Sequence, residues 1–314
     1  MYARLFASVL LCLAASAAAA AAPAAEVSIG GSEVELEYAP AEFGESAVLI
    51  LPWVRRSGEI VRAYYGRFPV RHLRLALQAG PGEGVHGGKT FANPDAYIRV
   101  GVGRAVTGAQ LLADWVLVHE MTHLALPDTG EEHAWLSEGL ATYVEGIARV
   151  QAGNRSELDL WSEELSSMPR GLPQAGDAGL DHTHTWGRTY WGGAMFCLLA
   201  DVEIHRRTHN ARGLQDALRA ILVASGGLSA DWPIARVLAT GDAAVGVPVL
   251  QELYARYRDA APAPDLAQLW KDLGVESADG TVHLNEAARW PTSAARSCRR
   301  TRHPSLPRAR RRLS

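Results

Sequence analysis

Lysine is nearly missing from this chain of 314 residues: among 31 basic residues only Lys89 and Lys271 are lysine, and the rest are arginine. With the abundance of alanine and glycine, that bias is the mark of GC-rich codons. Excess charge is missing too. A formal net charge of -3 gives no reason to expect nucleic acid as a partner. Three cysteines cannot make a disulfide scaffold. Cys197 lies in the apolar, helix-like run GGAMFCLLADV and reads as a packed thiol. A Cys197–Cys298 pair stays open at this stage. Neither has the spacing of a thiolate metal site, so any metal must rest on histidine and carboxylate. Long apolar runs are also scarce. The N-terminal LFASVLLCLAA is short for a membrane span. It follows Arg4 and precedes several A-x-A sites, which predicts a signal peptide over residues 1–25, cleaved near Ala22 to Ala25. An uncleaved anchor is the alternative. Leu11 stands before Cys12 where a lipoprotein signal needs a small residue, which argues against a lipid anchor. The expectation is an exported bacterial protein, periplasmic or secreted, with no stable membrane span once the signal is removed.

What is present suits a globular chain, since 48% of the residues are hydrophobic. Residues 26–106 read as mixed α and β. EVELEY and HLRLALQ alternate apolar and polar side chains, the period of half-buried strands, and AYIRVGVG reads as a further strand. Helical spacing runs through Val54, Ile60, Val61 and Tyr64. GPGEGVHGGKTFANPD reads as a glycine-rich loop, and Lys89 is not spaced for a phosphate cradle. Residues 107–275 read as helical. A capping box at Thr107–Gln110 opens a helix that carries Leu111, Leu112, Trp115, Val116 and Val118 and is closed by Pro127. A second helix is predicted from about Ala134 to Ala152, stopped by Gly153-Asn154. GAMFCLLADVEIHRRT, LQDALRAILVAS and PVLQELYARYRD show helical spacing. Residues 276–314 read as a small hairpin around Asp279-Gly280 followed by a basic tail. That tail reads as disordered, as a binding segment for anionic surfaces, or as the product of a shifted reading frame.

HEMTH, residues 119–123, fits H-E-x-x-H. On a helix, His119 and His123 lie one turn apart on one face and can reach one ion. Glu120 is rotated about 100° away and can reach a water on that ion rather than the ion itself. A catalytic zinc takes three protein ligands and keeps one position open. In WLSEGLATYVE, Glu138 stands in the first turns of the second helix, and the loop before it lets the helices pack antiparallel. Asp128, Glu131, Glu132 and His133 are the rivals for third ligand. Thr142 and Glu145 follow on the same helix, either orienting a ligand or lying on an exposed face.

VLVHEMTHLAL followed by WLSEGLATYVE resembles the gluzincin metallopeptidases, which include the aminopeptidase N and glycyl aminopeptidase groups. TYWGGAMFCLLADVEIHRRT resembles the segment that follows in them. The resemblance covers about residues 108–225. It implies an α+β, zincin-like (thermolysin-like) domain with a mixed sheet, an active-site helix and a mostly helical C-terminal part. It implies one Zn2+ per chain on His119, His123 and Glu138, with Glu120 as general base and Tyr190 as the tyrosine that meets the transition state. His182 and His184, just upstream, are alternatives for that last role. The implied activity is hydrolysis of peptide bonds in a peptide or protein substrate through a metal-activated water. The alternative is an inactive zincin-fold binding or assembly protein of the cell envelope. Three departures are visible. The spacer between His123 and Glu138 is short, Gly192 replaces a lysine, and the G-x-M-E-N strand that reads a free amino end is missing. Endo- and aminopeptidase action are both left open.

Overall fold

The computed structural model describes residues 25–93, 95–278 and 281–285. The leader, the tip of the late hairpin, Cys298 and the basic tail lie outside the described residues. The front part is a sheet of five strands in the order β1-β2-β3-β5-β4. These are β1 (Ala25–Ile29), β2 (Ser32–Glu37), β3 (His72–Gly80), β4 (Val85–Phe91) and β5 (Tyr97–Gly103). β2, β3 and β5 are parallel, and the two edges, β1 and β4, are antiparallel to their neighbours. Register places Val34 beside Leu73, Leu36 beside Leu75, and Leu75 beside Ile98, so alternate apolar residues share one buried face. Helix α1 (Ala47–Tyr65) turns Trp53, Val54, Ile60, Val61 and Tyr64 inward and ends on Gly66 at φ +82°.

Two expectations need correction here. The glycine-rich stretch read as a loop contains strand β4, mostly exposed and so lacking the apolar alternation that marks a half-buried strand. The helix opened by Thr107 does not run to Pro127. It stops after α2 (Gly108–Ala113), and α3 (Val116–His123) starts anew. Asp114 makes the break. Its backbone is extended at ψ 134°, and its carboxylate accepts from the Val116 and Leu117 amides at 3.0 and 3.2 Å and from Trp53 Nε1 at 3.0 Å.

The rear part is helical: α4 (Ala134–Gln151), α5 (Glu157–Ser167), a π-helical turn at Arg188–Gly192, α6 (Gly193–Arg207), α7 (Leu214–Ser225), α8 (Ile234–Val245), α9 (Val249–Tyr257) and α10 (Leu266–Asp272). α4 ends as its sequence predicts, with Gly153 at φ +72°. The late hairpin pairs β6 (Val275–Ala278) with β7 (Thr281–Leu284). α4 and α6 pack backbone to backbone, because a Cβ on Gly139 would meet the Gly193 main chain and a Cβ on Gly193 would meet the Trp135 carbonyl. Asp201, fully buried on α6, accepts from Tyr143 Oη at 2.9 Å and from the Leu214 amide at 2.7 Å, tying α4, α6 and α7 together. Cys197 is a buried thiol with no disulfide partner among the described residues, and its burial pushes its pKa up. Among the described residues no helix is long and apolar enough to cross a membrane.

Candidate active site

The break at Asp114 sets the start of α3, and α3 carries His119, Glu120 and His123 on its two turns. α4 packs against α3 and brings Glu138 to the histidine pair. Glu138 Oε2 lies 3.2 Å from His119 Nε2 and 3.4 Å from His123 Nε2. One ligand atom from each of the three residues lies within 4.8 Å of the others. His123 Nδ1 is 2.9 Å from Ser137 Oγ, which holds the ring so that Nε2 faces Glu138. His119 Nδ1 is buried without a hydrogen-bond partner among the described residues.

Electrostatics put His119 and Glu138 in the forms a metal takes. Burial lowers the His119 pKa, with the Glu138 hydrogen bond only partly opposing it, so the imidazole is kept neutral. Burial alone would raise Glu138, but the hydrogen bonds to His119 and His123 outweigh it and hold the carboxyl well below its usual range. Two imidazoles and one carboxylate are a zinc-type donor set. Geometry agrees, since bonds of ~2.1 Å in a tetrahedron put ligand atoms ~3.4 Å apart, close to the 3.2 and 3.4 Å found.

Glu120 points away from that triangle towards the sheet edge, as its place on the helix requires. Thr90 Oγ1, on β4, is 2.6 Å from Glu120 Oε2 and 2.9 Å from its main-chain oxygen. Gly88, on the same strand, leaves room for the Glu120 side chain, because a Cβ there would come within 2.5 Å of Glu120 Cγ. The sequence reading missed Thr90, Gly88 and Ser137. Only the hydroxyl of Ser137, adjacent to Glu138 in the chain, offered a signal.

Tyr190 lies in the π-helical turn, its ring stacked 6.3 Å from that of His119. Burial, then the charge and hydrogen bond of Glu138, raise its phenol to about 12. The rivals are elsewhere. His133 Nδ1 is 2.7 Å from the Thr129 carbonyl, Asp128 forms a β-bridge to Asp231, and among the described residues no other His, Cys, Asp and Glu group has this convergence. His182 is exposed and paired with Asp259 at 2.9 Å, and His184 is exposed. Of the two alternatives for Glu145, the exposed face does not hold: it is buried, and Arg149 Nη1 lies 3.4 Å away.

No protein-family model matches the chain, and no curated protein matches it. Solved structures do. An aminopeptidase N family protein from Idiomarina loihiensis superimposes with a TM-score of 0.56 at 15% identity, over 80% of this chain and 49% of that one. The chain shares the fold of the part of that protein it matches. An M1 zinc metallopeptidase from Deinococcus radiodurans matches at 14% identity and a TM-score of 0.49, over 78% of this chain and 52% of that one. The chain therefore spans about half the length of the structures it matches.

Proposed function

We propose that this protein is an exported, zinc-dependent peptidase of gluzincin type, with a zincin-like catalytic domain. The observation that carries the reading is the convergence of His119, His123 and Glu138, with the Glu138 carboxylate 3.2 and 3.4 Å from the two ring nitrogens and Glu120 beside them, turned off the triangle. His119, His123 and Glu138 would hold the zinc. Bound there, zinc would supply Lewis acidity, polarising the scissile carbonyl and making a water more acidic. Glu120 takes the proton of the attacking water and passes it to the leaving amine. Thr90 fixes the Glu120 carboxylate from the sheet edge, so the base is already aimed. Tyr190 donates its phenolic proton in a hydrogen bond to the developing oxyanion. An intact base with its own positioning hydroxyl supports turnover over a purely structural role.

The test separates metal binding from chemistry. Zinc-loaded protein is assayed on a mixed peptide library, and the cleavage sites assign endo- or exopeptidase action. Glu120→Gln is expected to keep about one equivalent of zinc while losing most turnover. Glu138→Ala is expected to lose zinc. Equal loss of metal from both variants would overturn the division of roles between the two glutamates.

A further inference from the structure

Beside His119 and Tyr190 opens a cavity of about 210 Å³. At ~30 Å³ per water it has room for about seven, and so for one long side chain. Glu145, Glu163 and Glu164 line it, with the exposed Trp115 and Trp186 also in the wall. Two of the carboxylates are already matched. Arg155 Nη2 holds Glu163 at 2.6 Å, and Arg149 Nη1 is 3.4 Å from Glu145. Glu164 is different. It is 4% exposed, and its buried Oε2 has no hydrogen-bond partner among the described residues. Burial pushes its pKa up to about 8, with the charges of Glu163 and Glu145 adding to the rise. Arg155 is the cation that pulls the other way, and it is committed to Glu163. Among the described residues, Arg170, exposed, is the only arginine or lysine in the lining.

A buried carboxyl without a partner is costly unless something completes it. A divalent ion does not fit, because among the described residues only the His119, His123 and Glu138 group converges like a metal site. An apolar occupant would leave Glu164 unpaired and drier still. A long cationic side chain answers both halves of the cavity. Its head can pair with Glu164, and its stem and charge can lie against the faces of Trp115 and Trp186.

We propose that this cavity receives the guanidinium or ammonium side chain of a substrate residue flanking the scissile bond, so that the protein cleaves beside arginine or lysine. The inference rests on the peptidase reading above. Glu164 acts here as a specificity-determining residue.

The experiment uses zinc-loaded protein and fluorogenic peptides that differ at one position, carrying arginine, lysine, norleucine or glutamate on either side of the scissile bond. The kcat/KM for arginine or lysine should exceed that for norleucine by about 10–100-fold at one of the two positions. Glu164→Gln should shrink that ratio about tenfold or more. Trp186→Ala, a surface change that leaves the core alone, should shrink it several-fold and covers the case in which Glu164→Gln fails to fold. Cleavage with no preference for a basic residue overturns this inference and leaves the peptidase reading standing. No cleavage of any peptide overturns the peptidase reading instead, and arginine amide then probes the cavity alone through tryptophan fluorescence. Saturable binding weakened in either variant supports a cation site, and absent or unchanged binding overturns it.

Discussion

At the scale of single residues, Glu164 couples stability to pH. Its folded pKa of about 8 stands above the ordinary 4.5, so between those values the folded chain holds a proton that the unfolded chain releases. The stability linked to this neutral carboxyl is fully present below the lower value and lost as pH rises through the upper one. At about 1.4 kcal/mol per unit, the loss is on the order of a few kcal/mol. Glu164→Gln should therefore raise the melting temperature at about pH 9 and leave it nearly unchanged at about pH 4, as calorimetry would show. A melting temperature that the substitution lowers at both ends would contradict a neutral buried acid. Tyr190 gives a second expectation. Under the proposed mechanism Tyr190→Phe removes a hydrogen bond made only in the transition state, so kcat should fall by about 10²–10³ while zinc content and KM stay near wild type. The triad of possible ligands was legible in the sequence because all three lie on two adjacent helices with readable spacing. The burial of Glu145 was not, because an acid on a helix is indistinguishable in sequence from a solvated one until α5 is known to cover it.

At the scale of elements, the close passage of α4 and α6 depends on Gly139 and Gly193. Gly139→Ala would push a methyl into the Gly193 main chain, which cannot move aside as a flexible side chain can. The cost expected is about 1–3 kcal/mol or more, seen as a lower denaturation midpoint at unchanged slope. Since Glu138 precedes Gly139, zinc affinity should fall as well. Wild-type stability in Gly139→Ala would mean that the helices can separate freely. Long, strongly patterned elements were readable: α4 from its apolar stripe and stop, and β2, β3 and β5 from their alternation. The split between α2 and α3 was hidden, because the apolar stripe continues across it. Its trace was Asp114, a capping residue type inside the stripe. β4 was hidden for the opposite reason. It is an edge strand carrying glycines and facing solvent, so it bears no hydrophobic period at all.

At the scale of the whole molecule, the site is drawn from separate regions of the chain. His119 and Glu138 are 19 positions apart, while Glu120 and Thr90 are 30 apart and belong to different layers. The near pair was legible, and the far one was not, since contacts between layers depend on packing that no local pattern records. That division has a kinetic side. The α3–α4 hairpin closes a short loop, which costs little chain entropy, whereas β4 reaches its place only once the sheet has assembled. A zinc ion can therefore be captured by a nascent hairpin before Thr90 and Tyr190 arrive. During refolding with zinc present, pulsed hydrogen exchange should protect the amides of α3 and α4 ahead of those of β3 and β5, and a chelator should erase the lead. Simultaneous protection of both regions would refute the order. Where it holds, and under the proposed function, the chain acquires its metal while still unable to cut, so an incompletely folded molecule binds zinc without harming its neighbours.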